Sequence, residues 1–211
     1  MARGLRKARR SGVGMRILKH LLWIVPLLII LAVVGLVAST ANARANEERY
    51  HESLPKSLLV QSDNFPNKEA IPTQFTCFGT GYSPNVKWSG APEARSYVLI
   101  AMDWDAPSPR LRLFPVVHWV LYNIPPTLSE IQPRATKPIL DQKRIAVGMN
   151  ISGSTEYAPP CPPLGQHEYV FRVYALDVDR IQPEANNKAG VMDAMKGHIL
   201  TYGELVGLFG G

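Results

Sequence analysis

Two acids, two histidines and a tyrosine stand at the ends of strongly apolar segments in this chain. Residues 101–123 read AMDWDAPSPRLRLFPVVHWVLYN, and a second cluster, CPPLGQHEYVFRVYALD, follows at 161–177. Strand side chains alternate with a period of two, so Asp103 and Asp105 fall on one side of a strand that Pro107 then stops. Asp103 follows a run of apolar residues, and burial with a hydrogen-bond partner is expected of its carboxylate. Asp105 alone reads more simply as a turn aspartate bonding nearby backbone N–H groups. His118 lies among apolar neighbours, where a lone histidine is usually a satisfied core residue. His167 opens the strand that carries Tyr169, and the two share a face. Brought together, two imidazoles, a phenol and a carboxylate make an anion cradle. The aspartate fixes a histidine tautomer and leaves ring N–H groups to donate to phosphate or carboxylate oxygens.

Other chemistries find less support. Imidazole and carboxylate suit zinc, but no His-Glu-x-x-His motif or short histidine spacing occurs, so neither a metal nor a cofactor is expected. There is no Gly-x-Ser-x-Gly elbow, P-loop or dinucleotide fingerprint. Ser108 and Ser154 lie in loops without a base of their own. Cys161, six residues before His167, could act as a thiol nucleophile, but a structural cysteine is the simpler reading. No catalytic residue is assigned.

The elements that must position these groups read mainly as strands. SLLVQS, QFTCF, NVKWSG, SYVLIAMDW, VVHWVLYNI and YVFRVYALDV are rich in Val, Tyr, Phe and Trp and are bounded by Gly, Pro and Asn. Eighteen prolines, one of them before residue 40, break up any long helix in the remainder. The exception is NNKAGVMDAMKGHILTYGELVGLF, where Val191, Met192, Met195, Ile199 and Leu200 repeat at helical spacing, with Gly197 and Gly203 dividing or ending the helix. A mostly β fold of antiparallel strands with one or two C-terminal helices follows.

The totals bound the partners. Of 23 Lys and Arg, seven fall in residues 1–20, leaving 16 basic against 17 acidic residues in the rest. The excess charge of +6 therefore belongs to a basic leader, and no nucleic-acid-binding stripe remains. Leu21 to Ala38 is 18 residues without a charge, near the minimum for a membrane-spanning helix. The basic flank places everything after residue 40 outside the cytoplasm. Ala41-Asn42-Ala43 is a candidate cleavage site, so the protein is either single-pass or, after processing, periplasmic or secreted. Residues 39–56 read as a juxtamembrane linker and 57–211 as the exported domain. Its two cysteines, Cys77 and Cys161, are disulfide candidates in an oxidising compartment.

Taken together, IPTQFTCFGTGYSPNVKWSGAP, the DWDAP element, HWVLYNIP and PCPPLGQHEYVFRVYALD resemble the phosphatidylethanolamine-binding protein (Raf kinase inhibitor-like) family, most nearly its bacterial YbhB/YbcL-like branch. The resemblance runs from about Ser57 to the C-terminus and is specific in order and spacing. It implies two antiparallel sheets with a small anion pocket at one end. Carried over by motif, the pocket would be lined by Asp103, His118, His167 and Tyr169, with Asp105, Pro107 and the Pro162-Pro163 turn shaping its rim. It also implies a binding or inhibitory module, toward phospholipid headgroups, phosphorylated groups, kinases or proteases, in place of an enzyme. Two departures stand out. Trp104 replaces the family's usual proline and is placed to cap the pocket, and STEYAPP replaces a glycine-bearing segment and re-aims one wall. A protein-interaction module with a vestigial pocket, and a phosphate-ester hydrolase using a histidine base, are the alternatives.

Overall fold

A computed structural model describes residues 12–211, with side chains described from Leu22 onward. Most of the basic leader at 1–20 lies outside the residues so described. Helix α1 runs Gly12–Glu52 and precedes a strand-rich domain. Strands β1 (Leu59–Gln61) and β2 (Glu69–Ala70), a short 3-10 turn (Thr73–Phe75), β3 (Val86–Ser89), β4 (Ser96–Asp103), β5 (Val116–Ile124) and β6 (Glu130–Ile131) come first. Helix α2 (Lys137–Gln142), β7 (Ala146–Gly148), β8 (Gln166–Leu176), α3 (Lys188–Met195) and β9 (Ile199–Gly210) complete the chain. One sheet has the order β2-β9-β8-β4-β5-β7 and the other β1-β3-β6. Pairing between named strands is antiparallel except for the two-residue β2–β9 contact, which is parallel.

The apolar runs are explained by burial on two sides. All eight residues of β4 are buried. Leu99 and Ala101 pack between the sheets with Trp88, Leu121, Phe171 and Leu205. Val98 and Ile100 pack on the other face against Val191 and Met195 of α3 and Tyr174 of β8. A strand covered on both faces loses its period-two signal and reads as continuous apolar sequence.

Three expectations are corrected. The late apolar stretch is helical only to Met195. Gly197, at φ +81°, turns the chain, and β9 then becomes the long partner of β8. Its glycines are packing requirements: a Cβ on Gly203 would lie 2.0 Å from the Leu58 carbonyl oxygen, and one on Gly207 2.4 Å from Ile71. QFTCF is not a strand: it begins in a 3-10 turn, Thr73–Phe75, that starts after Pro72 and is closed by the Thr76 hydroxyl donating to the Thr73 carbonyl at 2.8 Å; five residues were too few to fix a period. Residues 39–56 are helical through Glu52 and rest on the domain. There Arg44 pairs with Glu48 at 2.8 Å one helical turn on, at i,i+4.

The docked face of α1 follows β8. His51 sits 2.7 Å from the Tyr174 hydroxyl, and burial, with the nearby Arg172 charge, pushes its pKa down to about 4. Glu47 pairs with Arg172 at 3.0 Å and with Lys188, and Arg172 continues to Glu204 at 3.1 Å. At the other end the Thr40 hydroxyl donates to the Leu113 carbonyl at 2.7 Å. Residues 22–39 touch nothing and are exposed.

Cys77 and Cys161 are joined, 84 residues apart, with Cα atoms 5.4 Å from each other. A closed loop of that length restricts the unfolded chain by about 4 kcal/mol on the chain-entropy account. Replacing both cysteines by serine should lower the stability of the folded domain by roughly that amount in urea titration. A loss under about 1 kcal/mol would mean the bond constrains nothing that matters to folding.

Candidate ligand-binding site

The site forms where β4, β5 and β8 end together. Asp103, the last residue of β4, stands directly opposite Tyr169 on β8, with His167 two residues further out on the same face. His118 should not join them by simple alternation, because its neighbour Trp119 already faces the inter-sheet core. The ladder shows why it does. Ala101 pairs with Trp119 but Met102 pairs with Val117, so His118 is the extra residue of a β-bulge. Bulges re-aim side chains. This one sends Val117 toward the α3 side and His118 to the side of Tyr169, with ring centroids 5.2 Å apart.

These four side chains line a pocket of about 280 Å³, completed by Pro107, Phe114, Ile151, Ala158, Pro159 and Pro163, among others. Its walls are apolar apart from the four. Asp103 is fully engaged: one carboxylate oxygen accepts from His167 Nδ1 at 2.7 Å and the other from the Asp105 backbone N–H at 2.5 Å. His167 is fully buried and its Nε2 faces the Leu164 carbonyl at 3.2 Å. Both ring nitrogens thus have oxygen partners inside the protein.

His118 is held differently. Its Nδ1 lies 2.7 Å from the Ala158 carbonyl, which can only accept, so Nδ1 carries the proton. The Ala158 N–H in turn donates to the His118 carbonyl at 2.9 Å. Nε2 is then a bare acceptor in the neutral ring, and it has no partner; neither does the buried Tyr169 hydroxyl. Burial lowers the His118 pKa, opposed by the Ala158 hydrogen bond and Asp103 and reinforced by His167. Burial, with the Asp103 charge, raises that of Tyr169, keeping it a neutral phenol that can donate.

The expected cradle of free imidazole N–H groups is therefore corrected: the ring N–H groups already have partners, and the unused atoms are one nitrogen lone pair and one phenol. Asp105 also departs from its expected places. It is buried outside the pocket, pairing with Arg112 at 2.9 Å and accepting from the Glu168 N–H at 3.0 Å, while Asp103 makes the local turn bond. Trp104 does not cap the pocket; alternation sends it to the opposite face, beside Arg44 and Glu47 of α1, with Lys188 5.6 Å from its ring. Asp103, Pro107, His118, Pro163, His167 and Tyr169 do come together. The Ala158 carbonyl, which orients His118, was missed because a backbone atom in a loop leaves no mark in residue type. The disulfide stabilises that wall: Cys161 lines the pocket and the Cys77 N–H donates to the Pro160 carbonyl at 3.0 Å. Among the described residues no cluster of three or more His, Cys, Asp or Glu could hold a metal.

The chain is similar in sequence and in fold to known proteins. A family profile described as phosphatidylethanolamine-binding protein matches residues 61–210. A UPF0098 protein of Methanothermobacter thermautotrophicus is 40% identical over 154 residues, 72% of this chain and 98% of its own. Another, from Chlamydia trachomatis, is 38% identical over the same shares. Among solved structures, a phosphatidylethanolamine-binding protein homolog of Chlamydia trachomatis superposes with a TM-score of 0.65 at 35% identity, covering 74% of this chain and 99% of that one. Escherichia coli YbcL, described as a member of the mammalian family, gives 0.62 at 26% identity, covering 72% and 98%.

Two substitutions separate structural from ligand-facing roles. Asp103→Ala strands a buried histidine and should cost about 3 kcal/mol or more in chemical denaturation. Tyr169→Phe removes a buried hydroxyl that bonds nothing, so it should leave stability unchanged or raise it by about 1 kcal/mol. A clear loss for Tyr169→Phe would show that the hydroxyl has a structural partner.

Proposed function

The chain belongs to the phosphatidylethanolamine-binding protein family, and on that premise we propose that it is a membrane-anchored binding module for small phosphorylated or anionic groups, such as a phospholipid headgroup. The observation that carries the reading is the pair of buried, unpartnered polar atoms, His118 Nε2 and Tyr169 Oη, facing one pocket. Native proteins rarely leave such atoms unsatisfied, and a ligand oxygen would satisfy both. Tyr169 donates to one phosphate oxygen. At Nε2 either the phosphate arrives with a proton, its second ionisation lying near pH ~6, or the ring takes one up. A pocket of about 280 Å³ is at the small end for such sites, which suits a headgroup better than acyl chains. Residues 21–38 supply the anchor: α1 is long and apolar enough to cross a membrane, with a mean hydropathy of 2.7 in its best window and none of that window buried. The domain is placed outside the cytoplasm by the basic flank.

Turnover is not proposed. The Cys161 sulfur is tied up with Cys77, which takes away the thiol nucleophile. The alternative of a protein-interaction module toward a protease or kinase has one observation in its favour: Phe78 and Leu164 are largely exposed beside a groove of about 730 Å³. It is distinguished by partner binding that survives loss of Tyr169.

The sign of the pH dependence follows from proton uptake. Binding an anion favours the protonated ring, so affinity rises as pH falls. Because the His118 pKa is lowered in the free protein, affinity should go on rising below pH ~6.5, the ordinary imidazole value, before it levels off. Calorimetry with phosphoethanolamine should show tighter binding at pH 5 than at pH 8, with proton uptake. His118→Ala should bind about tenfold or more weakly. Equal affinity in both proteins, or a flat pH profile, rejects the assignment.

A further inference from the structure

The apolar helix leaves the domain at one particular place. Its contacts advance along β8 toward the pocket: His51 meets Tyr174, Glu47 meets Arg172, Arg44 shares a cavity with Glu168 and Val170, and Thr40 bonds Leu113. These positions (51, 47, 44, 40) form one helix face, and the axis runs beside β8 from its inner end to the end that carries His167. Thr40 is the first buried residue; from Leu22 to Ser39 every residue is exposed. That stretch is about 27 Å of helix, close to the thickness of a bilayer's hydrocarbon core. The bilayer therefore begins beside Leu113, in the loop 106–115 that forms one rim of the pocket.

That rim is composed for such a neighbour. Leu111 is 49% exposed, Phe114 43% and Ile151, on the facing loop, 56%. Phe114 and Ile151 also line the pocket. Between residues 106 and 115 there are two arginines and no acid. Arg112 is half exposed and braced by Asp105, and Arg110 makes no salt bridge among the described residues. Apolar side chains interleaved with arginine suit the boundary between acyl chains and anionic headgroups. The loop is held in shape, with the Leu113 N–H donating to the Ala106 carbonyl at 2.8 Å and Arg112 to Ser108 at 3.0 Å.

We infer that the pocket rim, centred on Leu111 and Phe114, docks onto the same bilayer that holds α1, so that the pocket opens onto lipid headgroups of its own membrane. This rests on the reading of residues 21–38 as a membrane span. The geometry leaves the opposite end of the domain far from lipid: the eleven residues of β8 span roughly 36 Å, and Asp179 lies beyond them, exposed and paired with Arg95.

The full chain is reconstituted in vesicles whose acyl chains carry bromine as a quencher, with an environment-sensitive dye on one introduced cysteine: Leu28→Cys, Leu111→Cys or Asp179→Cys. The expected result is strong quenching at 28, at least half as much at 111 and none at 179. Quenching at 28 with 111 no different from 179 overturns the docking while the anchor stands. No quenching at 28 overturns the span, and the docking falls with it. Phosphoethanolamine titrated into the same preparations reports on the pocket separately. Quenching at 111 without phosphoethanolamine binding supports the docking and rejects the ligand assignment.

Discussion

A carboxylate shut away from water at the end of β4 has to be satisfied before β4, β5 and β8 can close around it. An isolated buried charge would cost several kcal/mol. Asp103 meets this cost with His167 and with the Asp105 N–H, and each partner fixes something further. His167 is positioned against the Leu164 carbonyl, which sets the turn ahead of β8. The chain before that turn passes through Cys161, whose bond to Cys77 holds the wall bearing Ala158. Ala158 then fixes the tautomer and direction of His118. The orientation of the site's imidazole with an unpartnered nitrogen thus traces back, through backbone and a covalent link, to the satisfaction of one buried acid.

The contrast within the site is what gives it meaning. Both oxygens of Asp103 and both ring nitrogens of His167 already have protein partners, whereas His118 Nε2 and Tyr169 Oη have none. Other buried polar atoms are also unpartnered, among them the indole nitrogens of Trp88 and Trp119, so lack of a partner alone does not mark a site. What distinguishes the histidine and tyrosine is that both face the same enclosed space, one as acceptor and one as donor. A pocket organised this way offers the ligand two directional hydrogen-bonding atoms. Selectivity would then come from proton content and size more than from net charge.

Much of this was legible from residue type. The apolar runs that became β4, β5 and β8 were long, rich in β-branched and aromatic residues and bounded by breakers, and Asp103, His167 and Tyr169 follow from period two once those strands are placed. The features that escaped have physical reasons. The bulge at His118 depends on how two strands register, which neither strand's sequence encodes alone. β9 carries glycines at 203 and 207 because neighbouring chain comes within van der Waals contact, and glycine in an apolar run reads as interruption until the neighbour is known. Asp105 bonds Arg112 and the Glu168 N–H across the end of the sheet, a partnership invisible to local turn rules. The helical course of residues 39–52, rich in Ala, Glu and Arg, was obscured by their polarity, which a linker shares with the exposed face of a helix.

That last point bears on how the site meets its surroundings. A flexible tether of the same length would leave the domain free to turn, and the pocket would face lipid only part of the time. A continuous helix, fixed to β8 at His51 and Glu47 and to the 106–115 loop at Thr40, would convert the position of the proposed anchor into an orientation of the domain. The ion pairs from Glu47 to Arg172 and Lys188 are only slightly exposed and, with the His51–Tyr174 bond, resist rotation about the helix axis as well as separation from the sheet. On the proposed anchoring, a binding site so held would be presented to a two-dimensional array of headgroups at high effective concentration, the advantage any intramolecular arrangement has over free encounter. Under that condition a small pocket with two directional hydrogen bonds can be functionally occupied even when its intrinsic affinity for a soluble fragment is modest.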